Sequence, residues 1–597
     1  VAIPALLFLP WLDLSNRIVR TATITYLTLA SSLVLLLGLA DIRFFSYFQS
    51  HLNFLAVEYL GEGSTSWNLI LSDPKFALFI SIWLFATAAL WWVARHFYGR
   101  LARFPNRRSW PAQICLFILF VLALVMGVRG RTGTSGLNWS LAYFSDNPFV
   151  NQLPLNGIYT LAQSLYEKDH DPRLMYRDND QRGWAFGDRT NNLADVQKML
   201  HQEGDHWLKP SQSLLRRTDQ PPTEIGFAPN IVLVLMESWS AENTGCLGGP
   251  KDITPRFDSL AAQGILFTDF YATGIRSNYG LGGVLCSFPS APGRAIMKRY
   301  QAMHPFVTIP NILHERGYTN AFIYGGDLAF DNVEGFFRQK GFDHFFGDSY
   351  FGKEFYFSKW GIPDHILFEK AVPVIDLLPR PFFTTIFTLS HHEPFDLPDS
   401  SLRKSDDDNK RSQVYNSQVY ADHALGQFVS QFADQPVFDS TIFVFVADHT
   451  LLRSGPNRLN RSGFHIPLLI YAPHIIGTKQ RKIDKVGSQC DIIPTLMHIL
   501  GDSYKHASWG RDLLRLEDND PGFAIMNLFD VIGYLDNRYA YIEVIGERTF
   551  LFSRKEIDRE IRATDIQTQH SDDYLAIQKR LRTYLQLADQ LSTPEVW

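Results

Sequence analysis

The chain has 597 residues and a formal net charge of -5, with 46% hydrophobic and 20% charged residues. This length predicts more than one domain, and the slightly acidic balance gives no support to nucleic-acid binding. The apolar residues are unevenly distributed, because long apolar segments occur in the first part of the chain and not in the rest.

Three apolar segments near the start predict membrane spans. They run roughly over Thr25–Leu39, Phe76–Ala94 and Ile114–Val128, and each approaches the ~20 apolar residues that cross a bilayer. A fourth apolar piece, Val1–Trp11, resembles the end of a span whose beginning precedes Val1. Residues 1–130 are therefore predicted to form a transmembrane helical region of about four spans, the first incomplete.

The charges of the connecting loops predict how these spans are oriented. The loop after the first full span carries mainly acidic residues, whereas the loop after the second carries an arginine cluster: Arg95, Arg100, Arg103, Arg107 and Arg108. Loops rich in arginine stay in the cytoplasm. Everything after Arg129 is therefore expected to lie outside the cytoplasmic membrane of a multi-pass protein.

The chain has four cysteines, and one of them, Cys115, lies in a predicted span. The other three are Cys246, Cys286 and Cys490. Cys246 and Cys286 are the natural pair for a disulfide, and three buried free thiols are the equally open alternative. No Cys-x-x-Cys pair is present, so a structural zinc site of that kind is not supported.

The exported part divides into three regions by its sequence pattern. Residues 131–228 are polar and predict an extracytoplasmic linker region. Strand and helix patterns alternate over 229–515, which predicts an α/β domain with a central, mostly parallel sheet flanked by helices. Residues 516–597 predict a C-terminal subdomain with a terminal helix. The main predicted strands are Ile231–Met236, Asn320–Tyr324, Phe382–Leu389, Thr441–Val446, Pro467–Tyr471, Ala540–Val544 and Thr549–Ser553.

Two of these strands end in residues that bind metals. Glu237 follows Ile231–Met236, and Asp448 with His449 closely follows Thr441–Val446. Continuous apolar runs of this length are typical of strands buried on both faces of a parallel sheet, and ligands bind at the carboxyl ends of such strands. A helix-capping Glu237 and an ordinary turn at Asp448 are the alternative, but the two strands together favour one metal site.

A candidate nucleophile lies between these two strands. Ser277 follows a loop that contains Gly274 and begins an apparent helix. Free backbone N–H groups and the helix dipole favour an alkoxide or a phosphate at such a position, and a neighbouring cation would lower the pKa of the hydroxyl further. The alternative is that Ser277 only caps the helix.

The order of these motifs resembles the lipoteichoic acid synthase family of the alkaline phosphatase and sulfatase superfamily. The residues that carry the resemblance are Glu237, the Thr-Gly-x-Arg-Ser loop that ends at Ser277, Asp448-His449, the segments 324–327 and 330–332, and 390–395. The resemblance covers about Pro229 to Leu514. It implies an extracytoplasmic sulfatase-like catalytic domain on a bacterial cytoplasmic (inner) membrane.

The resemblance also implies a mechanism, in which a serine takes a phosphorylated head group from a phospholipid donor and passes it to an envelope glycan or lipid acceptor. One divalent ion, Mn²⁺ or Mg²⁺ with Zn²⁺ as a further option, is the implied cofactor. The implied roles are metal binding by Glu237, Ser277, Asp448 and His449, catalysis by Ser277 and His392, and substrate binding by Asp327, Arg276 and His392.

This sequence departs from the family at several positions. The family nucleophile is usually threonine, and the His, Trp and Arg contacts to the head group are replaced by Gly326, Asp331 and Val333. The transferred group is therefore left open. Lys298 is a second candidate phosphate contact, although a solvated surface position is favoured. His465 could support the metal ligands from behind or be an ordinary core-edge histidine, and the core-edge interpretation is favoured.

Three classes of function remain. A phosphoglycerol transferase-like enzyme is favoured, and a phosphoethanolamine transferase is its nearest variant. A phosphodiesterase or sulfatase-like hydrolase is the second class, although Ser277 lacks the proline and arginine that follow a sulfatase nucleophile. The third is a scaffold without activity, which the presence of all four expected ligands disfavours.

Overall fold

The structure is a computed structural model that forms two compact units, residues 1–170 and 171–597. It describes residues 15–48, 51–52, 76–101, 110–130, 142, 150, 153–169, 189–223, 225–292, 295–299, 307–407, 409–451, 459–528, 531–545, 548–559 and 562–591. The predicted piece Val1–Trp11 lies outside these residues.

The described part of the first unit is helical. Its helices are α1 (Arg17–Phe48), α2 (Phe76–Leu101), α3 (Trp110–Arg129) and α4 (Gly157–Asp169). The first three are long and apolar enough to cross a membrane, and each contains one of the predicted spans. The Trp83 indole donates to the Ser32 carbonyl at 3.0 Å, which ties α2 to α1.

The second unit contains the remaining helices of the described residues. They are α5 (Arg189–Leu200), α6 (Pro255–Ala261), α7 (Ser277–Cys286), α8 (Ile309–Glu315), α9 (Val333–Phe337), α10 (Asp348–Phe351), α11 (Asp364–Asp376), α12 (Lys410–Ala433), α13 (Ile492–Leu500), α14 (Arg554–Asp558) and α15 (Ser571–Gln590).

Its strands form one large sheet and three smaller ones. They are β1 (Asp205–Trp207), β2 (Arg216–Thr218), β3 (Asn230–Met236), β4 (Ile265–Phe267), β5 (Phe270–Tyr271), β6 (Thr319–Tyr324), β7 (His344–Phe346), β8 (Phe382–Phe387), β9 (Thr441–Ala447), β10 (Leu468–Tyr471), β11 (Arg481–Ile483), β12 (Gly487–Ser488), β13 (Tyr504–His506), β14 (Ala524–Leu528), β15 (Val531–Leu535), β16 (Tyr539–Val544) and β17 (Arg548–Ser553).

The large sheet has the strand order β11-β4-β10-β9-β3-β8-β6-β7. All of its pairs are parallel except those of β10, which runs antiparallel to both β9 and β4. The prediction of a central, mostly parallel sheet is confirmed. Every residue of β3 and β9 is buried, which explains why both strands are continuous apolar runs.

Helices cover this sheet and complete its core. On β9, Phe443 contacts Phe428 and Phe432 of α12, and Phe428 stacks on Phe368 of α11 with ring centroids 4.6 Å apart. Aromatic pairs of this kind bury large apolar areas and pack in a limited set of geometries. They pack α11 and α12 against β9.

The C-terminal strands form an antiparallel sheet in the order β14-β15-β16-β17. Two of them correspond to the predicted strands Ala540–Val544 and Thr549–Ser553. Met526 and Ile542 of this sheet share a hydrophobic core with Tyr271 and Phe464 of the central region. The boundaries proposed at 130, 228 and 515 stay predictions.

All four cysteines are free thiols. The proposed Cys246–Cys286 disulfide is therefore absent, and the alternative of free thiols is correct. Cys286 and Cys490 are buried, whereas Cys246 is half-buried. Burial raises the pKa of Cys286 to about 12, so this thiol behaves as a small apolar side chain at neutral pH.

Candidate active site

Adjacent strand ends bring Glu237 and Asp448 together. β3 and β9 are parallel neighbours, with Met236 opposite Ala447, and each carboxylate follows its strand by one residue. Both side chains are buried, with exposed fractions of 3% and 0%. Buried carboxylates need a compensating cation or hydrogen bonds.

His449 completes a cluster with these two carboxylates. Its Nε2 atom lies 3.7 Å from Glu237 Oε1 and 3.5 Å from Asp448 Oδ2. Its Nδ1 atom lies 2.7 Å from the Thr450 carbonyl oxygen, which can only accept a hydrogen bond. Nδ1 therefore carries a proton, and Nε2 is the ring nitrogen that faces the carboxylates.

The chemistry of this cluster fits a divalent cation. Potential ligand atoms of Glu237, Asp448 and His449 lie within 4.8 Å of one another. Asp448 Oδ2 is buried without a hydrogen bond among the described residues. Burial and then the carboxylate of Asp448 raise the pKa of Glu237 well above its ordinary value. Two carboxylates and one imidazole form a donor set that suits Mg²⁺, Mn²⁺ or Zn²⁺.

Ser277 is the first residue of α7, and Arg276 occupies the N-cap position. The Ser277 hydroxyl donates to Glu237 Oε2 at 3.3 Å, and its oxygen lies 3.4 Å from His449 Nε2. The alternative that Ser277 serves as the helix cap is wrong, because its side chain contacts the cluster instead. Glu237 and Ser277 are 40 residues apart in the sequence, and the fold brings their side chains into contact.

The position of α7 depends on close contacts with the end of β9. A side-chain Cβ at Gly280 would lie 2.1 Å from the Asp448 carbonyl oxygen, so only glycine allows this approach. The Gln489 amide donates to the Asp448 carbonyl at 2.7 Å and to the Ala447 carbonyl at 3.0 Å. These contacts fix the helix start, and with it Ser277, beside the carboxylates.

Ser238 holds both carboxylates and was not found from the sequence. Its hydroxyl donates to Glu237 Oε1 at 2.6 Å, and its backbone N–H donates to Asp448 Oδ1 at 2.8 Å. Its φ of 58° lies in the left-handed region, which is unusual for serine. Its position directly after Glu237 is the only sequence signal that could have indicated this role.

His392 lies beside the cluster on the loop after β8. Its Nδ1 atom lies 2.9 Å from the Glu393 carbonyl oxygen, and the Trp360 indole donates to the same oxygen at 2.8 Å. The Trp360 and His392 ring centroids are 4.1 Å apart. Burial lowers the pKa of His392, while the charge of Asp448 opposes this shift.

Trp360 was not found from the sequence. His391, the neighbour of His392, is buried and contacts Ser417 instead.

Asp327 lies on the turn after β6, where it accepts a hydrogen bond from the Ala329 backbone at 3.0 Å. It is 8% exposed. Burial, followed by the charges of Glu237, Asp331 and Asp327, raises the pKa of Tyr324 well above its ordinary value. Tyr324 thus lies within electrostatic reach of the metal cluster and of both aspartates.

A second group of polar residues connects to Ser277 through its neighbour. Asn278 Nδ2 donates to Asp331 Oδ2 at 2.7 Å, and Lys298 forms an ion pair with the same carboxylate. Asp331 has a φ of 53°, another left-handed conformation. Lys298 is therefore ion-paired with Asp331, while its side chain stays 39% exposed to solvent. Arg276 is exposed beside Ser277.

His465 lies away from the cluster, in agreement with its interpretation as a core-edge residue. It is 3% exposed, and its Nε2 donates to the Thr268 carbonyl at 3.0 Å. Burial lowers its pKa to about 3, and the charge of Arg461 adds to this effect. His465 is a neutral structural residue at pH 7.

Comparisons with known proteins show what the α/β region is similar to. Residues 229–502 match the family model described as Sulfatase. These residues form a sulfatase-superfamily domain. The match begins one residue before β3 and includes Glu237, Ser277, Asp327, His392, Asp448 and His449.

Curated proteins that are similar to this chain include lipoteichoic acid synthases. The chain is 26% identical to lipoteichoic acid synthase 2 of Bacillus subtilis over 69% of its own length and 67% of that protein. It is 27% identical to lipoteichoic acid synthase 1 of the same organism, over 82% and 75% of the two chains. The resemblance seen in the sequence is confirmed.

Two solved structures share the fold. A protein of the alkaline phosphatase superfamily from Vibrio parahaemolyticus matches with a TM-score of 0.61 and 29% identity, over 68% of this chain and 97% of that one. The lipoteichoic acid synthase LtaP from Listeria monocytogenes matches with a TM-score of 0.54 and 21% identity, over 68% and 98%. The α/β domain therefore has an alkaline phosphatase-like fold with a mixed central sheet.

Proposed function

We propose that this protein is a membrane-anchored, metal-dependent phosphotransferase that moves phosphoglycerol, or a related head group, from a phospholipid to an envelope glycan or lipid. The observation that carries the proposal is the position of the Ser277 hydroxyl, 3.3 Å from Glu237 and 3.4 Å from His449. The sulfatase-superfamily domain and the lipoteichoic acid synthase relatives support the same reaction class.

In the first half-reaction, Ser277 Oγ attacks the phosphorus of the donor lipid. The Ser277 oxygen–phosphorus bond forms, and the bond from phosphorus to the diacylglycerol oxygen breaks. The diacylglycerol leaves with a proton, so the net proton transfer runs from Ser277 to the leaving oxygen. A divalent ion held by Glu237, Asp448 and His449 would stabilise the serine alkoxide and the charge on phosphorus.

In the second half-reaction, an acceptor hydroxyl displaces Ser277 from the phosphorus. The proton of this hydroxyl returns, in net terms, to the serine oxygen. His392 is the group proposed to carry it, because its Nδ1–H is held by the Glu393 carbonyl and its Nε2 lone pair remains open. Trp360 would keep the imidazole in that orientation through their ring contact.

The first unit supports a membrane location for this reaction. Three of its helices are long and apolar enough to cross a bilayer, and the arginine-rich loop predicts an extracytoplasmic catalytic domain. A phospholipid donor is then present in the membrane to which the catalytic domain is tethered. Such tethering raises the local concentration of donor head groups at the active site.

The environment of Ser277 also favours a second head group, phosphoethanolamine. Asp331 places a carboxylate at one of the positions where the family has His, Trp or Arg contacts, whereas Asp327 is a carboxylate that the family shares. Asp331 forms an ion pair with Lys298, and the charges of Asp331 and Asp327 both act on Tyr324. A carboxylate would attract the ammonium group of ethanolamine, so the donor lipid must be tested rather than assumed.

Release of diacylglycerol tests the proposed function. The full chain in detergent, supplied with Mn²⁺ and either phosphatidylglycerol or phosphatidylethanolamine, is expected to release diacylglycerol from one of them. Ser277→Ala is expected to lower this rate more than about a thousandfold, because removal of a nucleophile leaves only residual catalysis. Ser277→Thr retains the hydroxyl and should retain measurable activity. Equal rates for wild type and Ser277→Ala would contradict the proposal.

A further inference from the structure

A large groove lies where strands of the central sheet begin, at the opposite end of the strands from the active site. Glu237 and Asp448 follow the carboxyl ends of β3 and β9, whereas the groove lies at the starts of β4 and β11. β10 runs antiparallel to both β9 and β4, so β4 is parallel to β9 and its start lies opposite the metal cluster. The loop after β10, the end of α13 and the chain before β3 complete the groove.

The groove is lined by both apolar and cationic residues. Its volume is about 1230 Å³, which exceeds the usual range for one small ligand. Ile265, Ile475 and Ile476 contribute the apolar surface. The cationic residues that line it are Lys479, Arg481, Lys482 and Arg515. Among the described lining residues there is no Asp or Glu, although the whole chain has a net charge of -5.

These four cations have no neutralising partner in the described part of the chain. None of them has a carboxylate oxygen within 4.0 Å there, whereas His498, which also lines the groove, is paired with Asp512 at 2.9 Å. Arg515 donates to the Glu203 carbonyl at 3.2 Å, which orients its guanidinium without removing its charge. A concentration of uncompensated like charge in a concave surface favours an anionic ligand.

The walls of the groove are held in place by hydrogen bonds. The Gln480 amide donates to the Ala261 carbonyl at 3.0 Å, and the Asp502 backbone donates to the Pro221 carbonyl at 3.0 Å. A Cβ at Gly501 would lie 2.7 Å from the Thr223 backbone, so glycine permits the chain before β3 to pack there. The groove therefore exists before any ligand binds, which lowers the entropy cost of binding.

We propose that this groove binds a linear polymer that carries phosphodiesters, namely the acceptor or product of the reaction proposed above. The inference rests on the proposed function, since each phosphoglycerol transfer adds a negative phosphodiester to the acceptor. Arginine and lysine side chains bind phosphate oxygens strongly. The concave shape and large volume fit a chain better than the flat surface of a bilayer. Binding here keeps the growing polymer on the enzyme between successive transfers.

The test uses the full Ser277→Ala chain in detergent, which removes turnover. The probe is a synthetic poly(glycerol phosphate) oligomer, and a neutral dextran oligomer is the control ligand. Lys479→Gln combined with Arg515→Gln removes two of the four cations that line the groove and is expected to weaken oligomer binding about tenfold. Lys505→Gln combined with Lys555→Gln removes two exposed lysines outside the groove and should leave binding unchanged.

Several outcomes would overturn the inference. These are absence of oligomer binding to the Ser277→Ala chain, equal binding of dextran, and equal effects of the groove and control variants. Loss of binding to phosphatidylglycerol vesicles in the groove variant, with oligomer binding intact, would assign the groove to the membrane instead. Failure of the proposed function is distinguishable, because it would abolish diacylglycerol release without changing oligomer binding to this groove.

Discussion

The chemical character of Ser277 depends on residues that are far from it in sequence. Glu237 and His449 contact its hydroxyl, and Ser238 fixes the two carboxylates by donating to both. Glu237 and Asp448-His449 could be predicted because each ends a continuous apolar strand. Ser238 and Trp360 could not, because their roles depend on a backbone conformation and on a ring contact that only the fold creates.

Replacement of Glu237 is expected to abolish metal binding. Adding Mn²⁺ should raise the Tm of the wild-type chain, because a ligand that binds only the folded state stabilises it. Glu237→Gln removes one anionic ligand and should lose this shift, whereas Glu242→Gln, which changes a carboxylate outside the cluster, should keep it. Thermal unfolding with and without Mn²⁺ measures the difference. An equal Mn²⁺ shift in both variants would rule out the proposed ligand set.

The pH dependence of transfer tests the role of His392. Burial lowers the pKa of His392 from 6.5, so the imidazole is neutral at pH 7 and can accept a proton. Below this lowered pKa the imidazole is protonated, so the transfer rate should fall as the pH falls through it. His392→Gln should be slower by about 10²–10⁴-fold and should lack this acid limb. Transfer rates of wild type and His392→Gln, measured at saturating Mn²⁺ over a pH series, test both expectations. An acid limb that is the same in His392→Gln as in wild type would exclude His392 as the proton carrier.

At the scale of elements, the active site is an assembly of strand ends and one helix start. The parallel pair of β3 and β9 was predictable from composition, because both strands are buried on both faces. The direction of β10 was not, since a short apolar run such as Leu468–Tyr471 reads the same in either direction. Similarly, the sequence predicted a helix after Ser277, but it did not predict that this helix contacts Asp448.

Two glycines of α7 provide a matched test of this assembly. Gly280→Ala would place a Cβ 2.1 Å from the Asp448 carbonyl, so α7 must shift and activity should fall at least about tenfold, with about 1–3 kcal/mol of lost stability. Gly282→Ala meets its nearest atom at 3.4 Å and should be neutral or stabilising by up to about 1 kcal/mol. Urea unfolding and diacylglycerol release measure both effects. Equal behaviour of the two variants would contradict the proposed packing.

At the scale of the whole molecule, two compact units combine membrane-compatible helices with a sulfatase-superfamily domain. The apolar segments predicted the three helices, because long apolar runs have few alternative structures, but α1 (Arg17–Phe48) extends well beyond the predicted Thr25–Leu39 at both ends. The head group and acceptor could not be predicted. They depend on side chains such as Asp327 and Asp331, whose positions near Tyr324 follow from tertiary structure.

The most direct measurement is the mass of the peptide that contains Ser277 after the chain has reacted with its donor lipid. With Mn²⁺ and phosphatidylglycerol, and without an acceptor, mass spectrometry should find Ser277 carrying one phosphoglycerol, or phosphoethanolamine if phosphatidylethanolamine is the donor. Addition of an acceptor alcohol should remove the group from Ser277 and place it on the alcohol. An unmodified Ser277 in a metal-loaded chain that still releases diacylglycerol would contradict the covalent mechanism.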